Sequence, residues 1–314
     1  MDKYGLKMLL RSIRSSLGRY LAILAIVALG VGFFAGLKSS QPAMQSTVDE
    51  YMRDNRMFDF QLMSSLGLTE SDRAAFAQLD GVKYAEGAYG VDAMAAVGKT
   101  EEPYRFMSVT ENVAVPLLVA GRMPETDGEC LADAGAFSEK DIGKTVQLSE
   151  DNDADTLDMF TSRSYKIVGI AKSPRYISND RGSTSLGSGS LKGFIILPAA
   201  AFNSEVYHEI LLYCNFDGAL FSSEYDTARD KLKPRIQQLL NRCGARRYET
   251  LRAETDAKLA DAQLEINDGW DEYYANESSA LSQINDGLAQ IEAAESEICL
   301  LYTSPSPRDY AASR

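Results

Sequence analysis

Gly-Lys-Thr occurs twice, at 98–100 and 143–145, and this tripeptide ends the phosphate-binding loop of many nucleotide enzymes. Such a loop needs another glycine five residues earlier, so that backbone N–H groups can wrap a phosphate. Those positions hold Ala93 and Ser138, so neither copy reads as a nucleotide site. Asp151, Asp153, Asp155 and Asp158 resemble a calcium loop in their spacing. An EF-hand wants glycine at its sixth position and glutamate at its twelfth. Thr156 and Ser162 stand there instead, and the segment reads as a solvated acidic turn. His208 is the single histidine, so any metal centre or histidine-dependent triad would rest on it alone. It reads as an ordinary surface or core residue. Cys130, Cys214, Cys243 and Cys299 form no close pair, which gives neither a zinc site nor a disulfide framework. Asn276-Glu277-Ser278 is a sequon inside a helical stretch and does not read as a glycosylation site. With no nucleophile motif either, the expectation is no catalytic, cofactor-binding or metal residue, no cofactor, and no enzymatic activity.

The elements that remain must then bind or transmit. The chain has 314 residues, a formal net charge of -13 and 45% hydrophobic residues, enough for one or two domains. An acidic balance argues against nucleic acid as a partner, because phosphate binding needs a basic face. The exception to acidity is the N-terminus, where Lys3, Lys7, Arg11, Arg14 and Arg19 face only Asp2.

Residues 20–37 carry no charge. As a helix they span about 27 Å, close to the hydrocarbon thickness of a bilayer. The basic cluster before them is expected to stay in the cytoplasm, and the lipid bilayer is the first partner. The apolar run exceeds a signal-peptide core, so an uncleaved transmembrane helix is expected over 20–40. Residues 1–19 form a basic leader helix, with Leu6, Leu9, Leu10, Ile13 and Leu17 on its apolar face. Gly32 and Gly36 have the GxxxG spacing that lets a second helix approach closely.

Residues 41–245 read as a mixed α+β extracytoplasmic domain. Helix is expected over 43–57, strand over 58–65, and helix over 68–82, with Thr69 and Asp72 as a capping box and Gly81 closing it. β runs follow at 84–97, 104–110, 128–133, 144–148, 165–173, 192–198 and 209–216. The Gly/Ser-rich stretch 181–190 is expected to be a mobile loop. Helix returns at 226–244, interrupted at Pro234 and closed by Gly244. From 246 to 298 the sequence becomes proline-free and heptad-like: Leu259, Ala262, Ile266, Gly269 and Tyr273, then Leu281, Ile284, Leu288, Ile291 and Ile298. Ile-Asn-Asp-Gly recurs at 266–269 and 284–287, five helical turns apart. A single helix of this kind cannot bury its stripe alone, and the expectation is a returning strand of coiled coil, which this sequence does not contain. Residues 299–314 keep no register with it and resemble translated adapter read-through. The expectation is a truncated product with an artefactual tail.

Several segments together resemble the FtsX-like permeases, related to the MacB type of ABC transporter permease. The run 16–44 is similar to that family's first membrane helix, and 59–72 to the entry of its extracytoplasmic core domain. Gly121, Arg122, Pro124, Gly128 and Glu129 match a recurrent G-R-x-P followed by G-E. Residues 142–148, 165–178 and 191–202 match later segments, so the likeness covers about 1–298. The resemblance implies a bacterial cell-membrane protein working with a separate cytoplasmic ATPase subunit and a second permease copy. The five motif residues read as structural, with Arg122 fixing a turn through backbone contacts in preference to binding a ligand. The chain departs from the family in lacking its further membrane helices. A single-pass adhesion or scaffold protein with a coiled-coil stalk is the rival reading. An anchored hydrolase is the weakest.

Overall fold

The computed structural model describes residues 3–303. Two units meet after Ala245. All strands belong to the first, and the described part of the second is helix.

Helix α1 spans Lys3–Ser15 and α2 spans Leu17–Asp54. α2 has 38 residues and no buried side chain. At 1.5 Å per residue it is about 57 Å long. By length and composition it can cross a membrane. Pro42 lies inside it. The carbonyl that loses its partner belongs to Lys38, just past the apolar run, where the backbone is exposed and can be hydrated. The helix therefore continues into the expected 43–57 segment and ends at Asp54.

Three strands form an antiparallel sheet in the order β1 (Phe60–Leu68), β10 (Tyr207–Cys214), β2 (Val82–Ala88). Seven form a mixed sheet: β3 (Gly90–Val97), β4 (Thr100–Ser108), β5 (Leu117–Gly121), β6 (Glu129–Asp133), β7 (Thr145–Leu148), β8 (Ser164–Lys172) and β9 (Gly193–Leu197). Their order is β5-β8-β6-β9-β4-β3-β7, and β7 pairs in addition with β8. Six strands thus close into a barrel. β7 takes the first half of one β8 edge and β5 takes the second half.

Closure explains the period-2 pattern. Ala93 and Ala95, Tyr104 and Phe106, Cys130 and Ala132, Val146 and Leu148, Ile195 and Leu197 all alternate into the barrel core. Small alanines on β3 and β6 leave room for the rings of Tyr104, Phe106 and Tyr165. On β8 one extra residue, Val168, sits opposite the Cys130–Leu131 step and shifts the register.

The smaller sheet is covered by α3 (Glu70–Ala77) and the start of α5 (Ser223–Thr303). Leu62, Phe76, Ile210, Leu212, Leu232 and Ile236 fill that core. The capping box is present: the Thr69 hydroxyl accepts the Asp72 N–H at 3.3 Å, and the Asp72 carboxylate accepts the Thr69 N–H at 2.8 Å. The helix is shorter than 68–82. It ends at Ala77, because Phe76 is buried and the chain must turn for Val82 to pair with Cys214. Gly81 (φ 97°) serves that turn and does not close the helix.

Two further expectations are corrected. Pro234 does not interrupt the last helix and Gly244 does not close it; α5 runs through both for 81 residues. Leu232, Ile236 and Cys243 are buried on the small sheet, and that packing offsets the penalty of about 3 kcal/mol for an internal proline. The stretch 181–190 is a loop between β8 and β9. Thr184 donates to Gly189 (3.1 Å), Leu191 to Gly182 (3.0 Å), and Ser183 bridges Ser190. Beyond Ala245 no side chain of α5 is buried. The tail expected from 299 is helical as far as Thr303; its remainder lies outside the described residues.

Candidate functional site

The end of α2 is tied to the core domain at three points. Asp49 accepts the Leu220 N–H at 2.5 Å and pairs with Arg53 at 3.1 Å. The Arg53 guanidinium donates to the Gly218 carbonyl. Asp59, between α2 and β1, accepts the Cys214 N–H and the Tyr225 hydroxyl, each at 2.6 Å. Burial raises the Asp59 carboxyl above its ordinary range, against the lowering effect of those two donors. Phe216 stands edge-on to Tyr225 with ring centroids 5.3 Å apart. The last turns of α2 therefore meet the head of α5 across the ends of β1 and β10. Beside this junction, a cleft of about 490 Å³ separates Thr47, Val48 and Tyr51 of α2 from Ser173, Tyr176 and Arg181.

Two ion pairs, each a buried carboxylate with a partly exposed arginine, hold the segment that follows β8. Arg175 makes a bidentate contact with Glu209 of β10, at 2.6 and 2.9 Å, and covers the Phe58 ring. Gln61 of β1 also donates to Glu209. This cluster locks the small sheet to the barrel. Arg181 holds Asp133 of β6 at 2.5 and 3.0 Å and lies over Tyr176 and Phe194. Neither pair was singled out from sequence. The only signal was a charge within or just outside an apolar strand, as in Glu209 before ILLYC.

The five motif residues gather at the β5–β6 connection. Gly121 has φ 80°, and a Cβ there would lie 2.3 Å from the Val168 carbonyl oxygen, so a side chain is excluded twice over. The Arg122 N–H donates to that same carbonyl at 3.1 Å. Its guanidinium clamps Glu129 and donates to the Met123 carbonyl at 2.9 Å. Glu129 also accepts the Glu125 N–H at 2.9 Å. The Arg122 guanidinium first, and the Glu125 N–H second, hold the Glu129 carboxyl down to about 2. Pro124 lies within the clamped loop, and the Gly128 carbonyl accepts the Lys166 N–H at 2.8 Å. The arrangement is a closed loop with its charges already matched.

The remaining candidates are spread apart. Gly98 (φ 73°) and Gly143 (φ 94°) occupy turns. In the acidic stretch Asp153 caps a short helix, α4 (Ala154–Asp158). Its neighbour Asn152 pairs with both backbone groups of Met94, each at 2.8 Å. His208 Nδ1 lies 3.1 Å from both the N–H and the carbonyl of Gly90. Cys130, Cys214 and Cys243 are buried and Cys299 is exposed. Among the described residues no three His, Cys, Asp or Glu side chains come together. Gly32 and Gly36 are exposed on α2, with nothing within 4 Å of a Cβ at either.

No protein-family model matches the chain, and no curated protein does. Solved structures resemble it in part. The periplasmic region of MacB from Actinobacillus actinomycetemcomitans is 14% identical over 57% of this chain and 76% of that one, with a TM-score of 0.35. The extracellular domain of the ABC-type transporter YknZ from Gram-positive bacteria is 15% identical over 57% and 84%, with a TM-score of 0.34. A domain of a permease protein from Porphyromonas gingivalis is 13% identical over 57% and 71%, with a TM-score of 0.32. Scores of this size assign the chain neither a family nor an activity.

Proposed function

We propose that this chain is the first membrane helix and outer core domain of a permease subunit, in an ABC-type transporter or mechanotransmission complex. The subunit does no chemistry. It couples a separate cytoplasmic ATPase to a domain on the far side of a bacterial membrane, with its own N-terminus inside. The observation that carries this reading is the continuity of α2. One 38-residue helix holds both the membrane-length apolar run and the Asp49–Arg53 clasp on the core domain. Movement of the helix in the bilayer reaches the domain without passing through a flexible linker.

Gly32 and Gly36 would be where a second permease copy packs in the membrane. Gly121, Arg122, Pro124, Gly128 and Glu129 would serve as structure, holding β5 against β8. The protein tagged at its native locus should co-purify with an ATPase subunit. A D49A/R53A variant should keep that partner and lose ATP-dependent protection of the 218–225 segment from protease. Absence of any ATPase partner would sink the proposal. The bare apolar stripe of the arm would then favour the second reading, a membrane-anchored scaffold with a coiled-coil stalk.

A further inference from the structure

The loop between β10 and α5 runs along the last turns of α2. Arg53 holds Gly218, Asp49 holds Leu220, and Phe221 lines a groove with Ser40, Gln41, Met44, Gln45 and Val48. Successive loop residues thus step down the helix toward its apolar run, and the chain turns back into α5 at Ser223. Phe221 is the turning point. It has φ 70°, a region that bulky side chains avoid, and it is 58% exposed. Core packing does not account for a phenylalanine there, where glycine would fit the backbone without strain. Met44, in the same groove, is 69% exposed. Side chains on a helix lean toward its N-terminus, so Met44 leans toward residue 37.

The distances suit a bilayer surface. Ser40 lies about 4.5 Å past Leu37 along the helix, and Met44 about 10 Å. The headgroup layer takes about 5–7 Å on each side of the hydrocarbon, and interfacial apolar groups bury at that boundary. Residues 38–48 and 218–223 hold no Asp or Glu, in a chain of net charge -13, so anionic headgroups meet no like charge here. Ile177 provides a contrast. It is 65% exposed and also flanks α2, but it lies across the cleft from Thr47, Val48 and Tyr51, about 15 Å or more past Leu37.

We propose that loop 218–222 is a foot on which the core domain stands on the membrane, with Phe221 and Met44 inserted where headgroups meet acyl chains. Lipid is the occupant because the groove is built on α2 itself, three residues past the end of the apolar run. The proposal rests on the reading that α2 crosses the bilayer, and adds a second, peripheral contact between the domain and that bilayer.

The test uses the full chain with W270F, which removes the only native tryptophan, so that one introduced tryptophan reports. The vesicles are phosphatidylcholine and phosphatidylglycerol, brominated either high on the acyl chains or near their ends. F221W should be quenched more by the high bromines, L24W more by the deep ones, and I177W by neither. Quenched L24W with unquenched F221W overturns this inference alone. Unquenched L24W overturns the membrane helix as well. Equal quenching of F221W and I177W also overturns the inference, because the loop would then hold no special place. F221W emission that is blue-shifted yet unquenched puts a protein in the groove and overturns it too. F221G, which relieves the backbone, should melt no lower than the unaltered chain in detergent. A clear fall would make the ring part of the core and contradict its role at the lipid surface.

Discussion

Residues 20–37 and residues 259–298 are both helical and both bare, and the two are bare in different ways. The first stretch has no charge and is apolar on every side, so water suits none of its faces. The second has one apolar stripe with ten carboxylates around and within it, so water suits most of it and one strip needs a neighbour. Exposure alone does not say what surrounds a helix. The angular distribution of its apolar residues does: a full circumference calls for lipid, and a stripe of about 100° or somewhat more calls for one partner helix.

Substitutions can sharpen or break that comparison, with the packed core as the reference. Phe106 fills the barrel and is fully buried. F106A should cost about 3–5 kcal/mol, read as a lowered denaturation midpoint. E209A should cost about 1–3 kcal/mol, because it removes a buried carboxylate and leaves the partly exposed Arg175 without its bidentate partner; a loss under about 0.5 kcal/mol would contradict the locking role of that pair. In α2, L24R should cost about 2.5–3.5 kcal/mol of insertion and move protein out of the membrane fraction. Full membrane retention would mean that the apolar run does not span.

Smaller effects follow. Burial holds the His208 imidazole below 6.5, with a minor lowering from Arg105. As pH falls the unfolded chain takes up its proton first. Stability present above pH 6.5 is therefore lost as pH drops toward the folded value. The H208Q chain should show a flatter melting-temperature profile between pH 7 and 5. In the arm, I284D should change core stability by less than about 0.5 kcal/mol, because Ile284 touches nothing buried. A large loss there would erase the contrast between core and arm.

The apolar run, the Thr69–Asp72 cap and most strands were legible in the residues, since each rests on a local pattern. Barrel closure was not. The β7–β8 pairing joins Val146 to Tyr165, and nothing in either strand names the other. The course of α5 was misread at Pro234 and Gly244, because local helix breakers gave way to burial of Leu232, Ile236 and Cys243. The junction residues Asp49, Arg53 and Asp59 were silent for a similar reason. Their partners lie at 214–225, more than 150 positions away. The motif at 121–129 was legible as a pattern, and its physical cause, a carbonyl 2.3 Å from any Cβ at Gly121, belongs to β8.

The measurement that bears most directly on the account is the sidedness of the two ends of α2. In a C299S background the remaining cysteines are buried, so single probes can be placed at Lys7, before the apolar run, and at Lys99, in the exposed β3–β4 turn. A membrane-impermeant maleimide is added to intact cells. The account predicts that K99C is labelled at once and K7C only after permeabilisation. Labelling of K7C with protection of K99C, or equal labelling of both in intact cells, would contradict it.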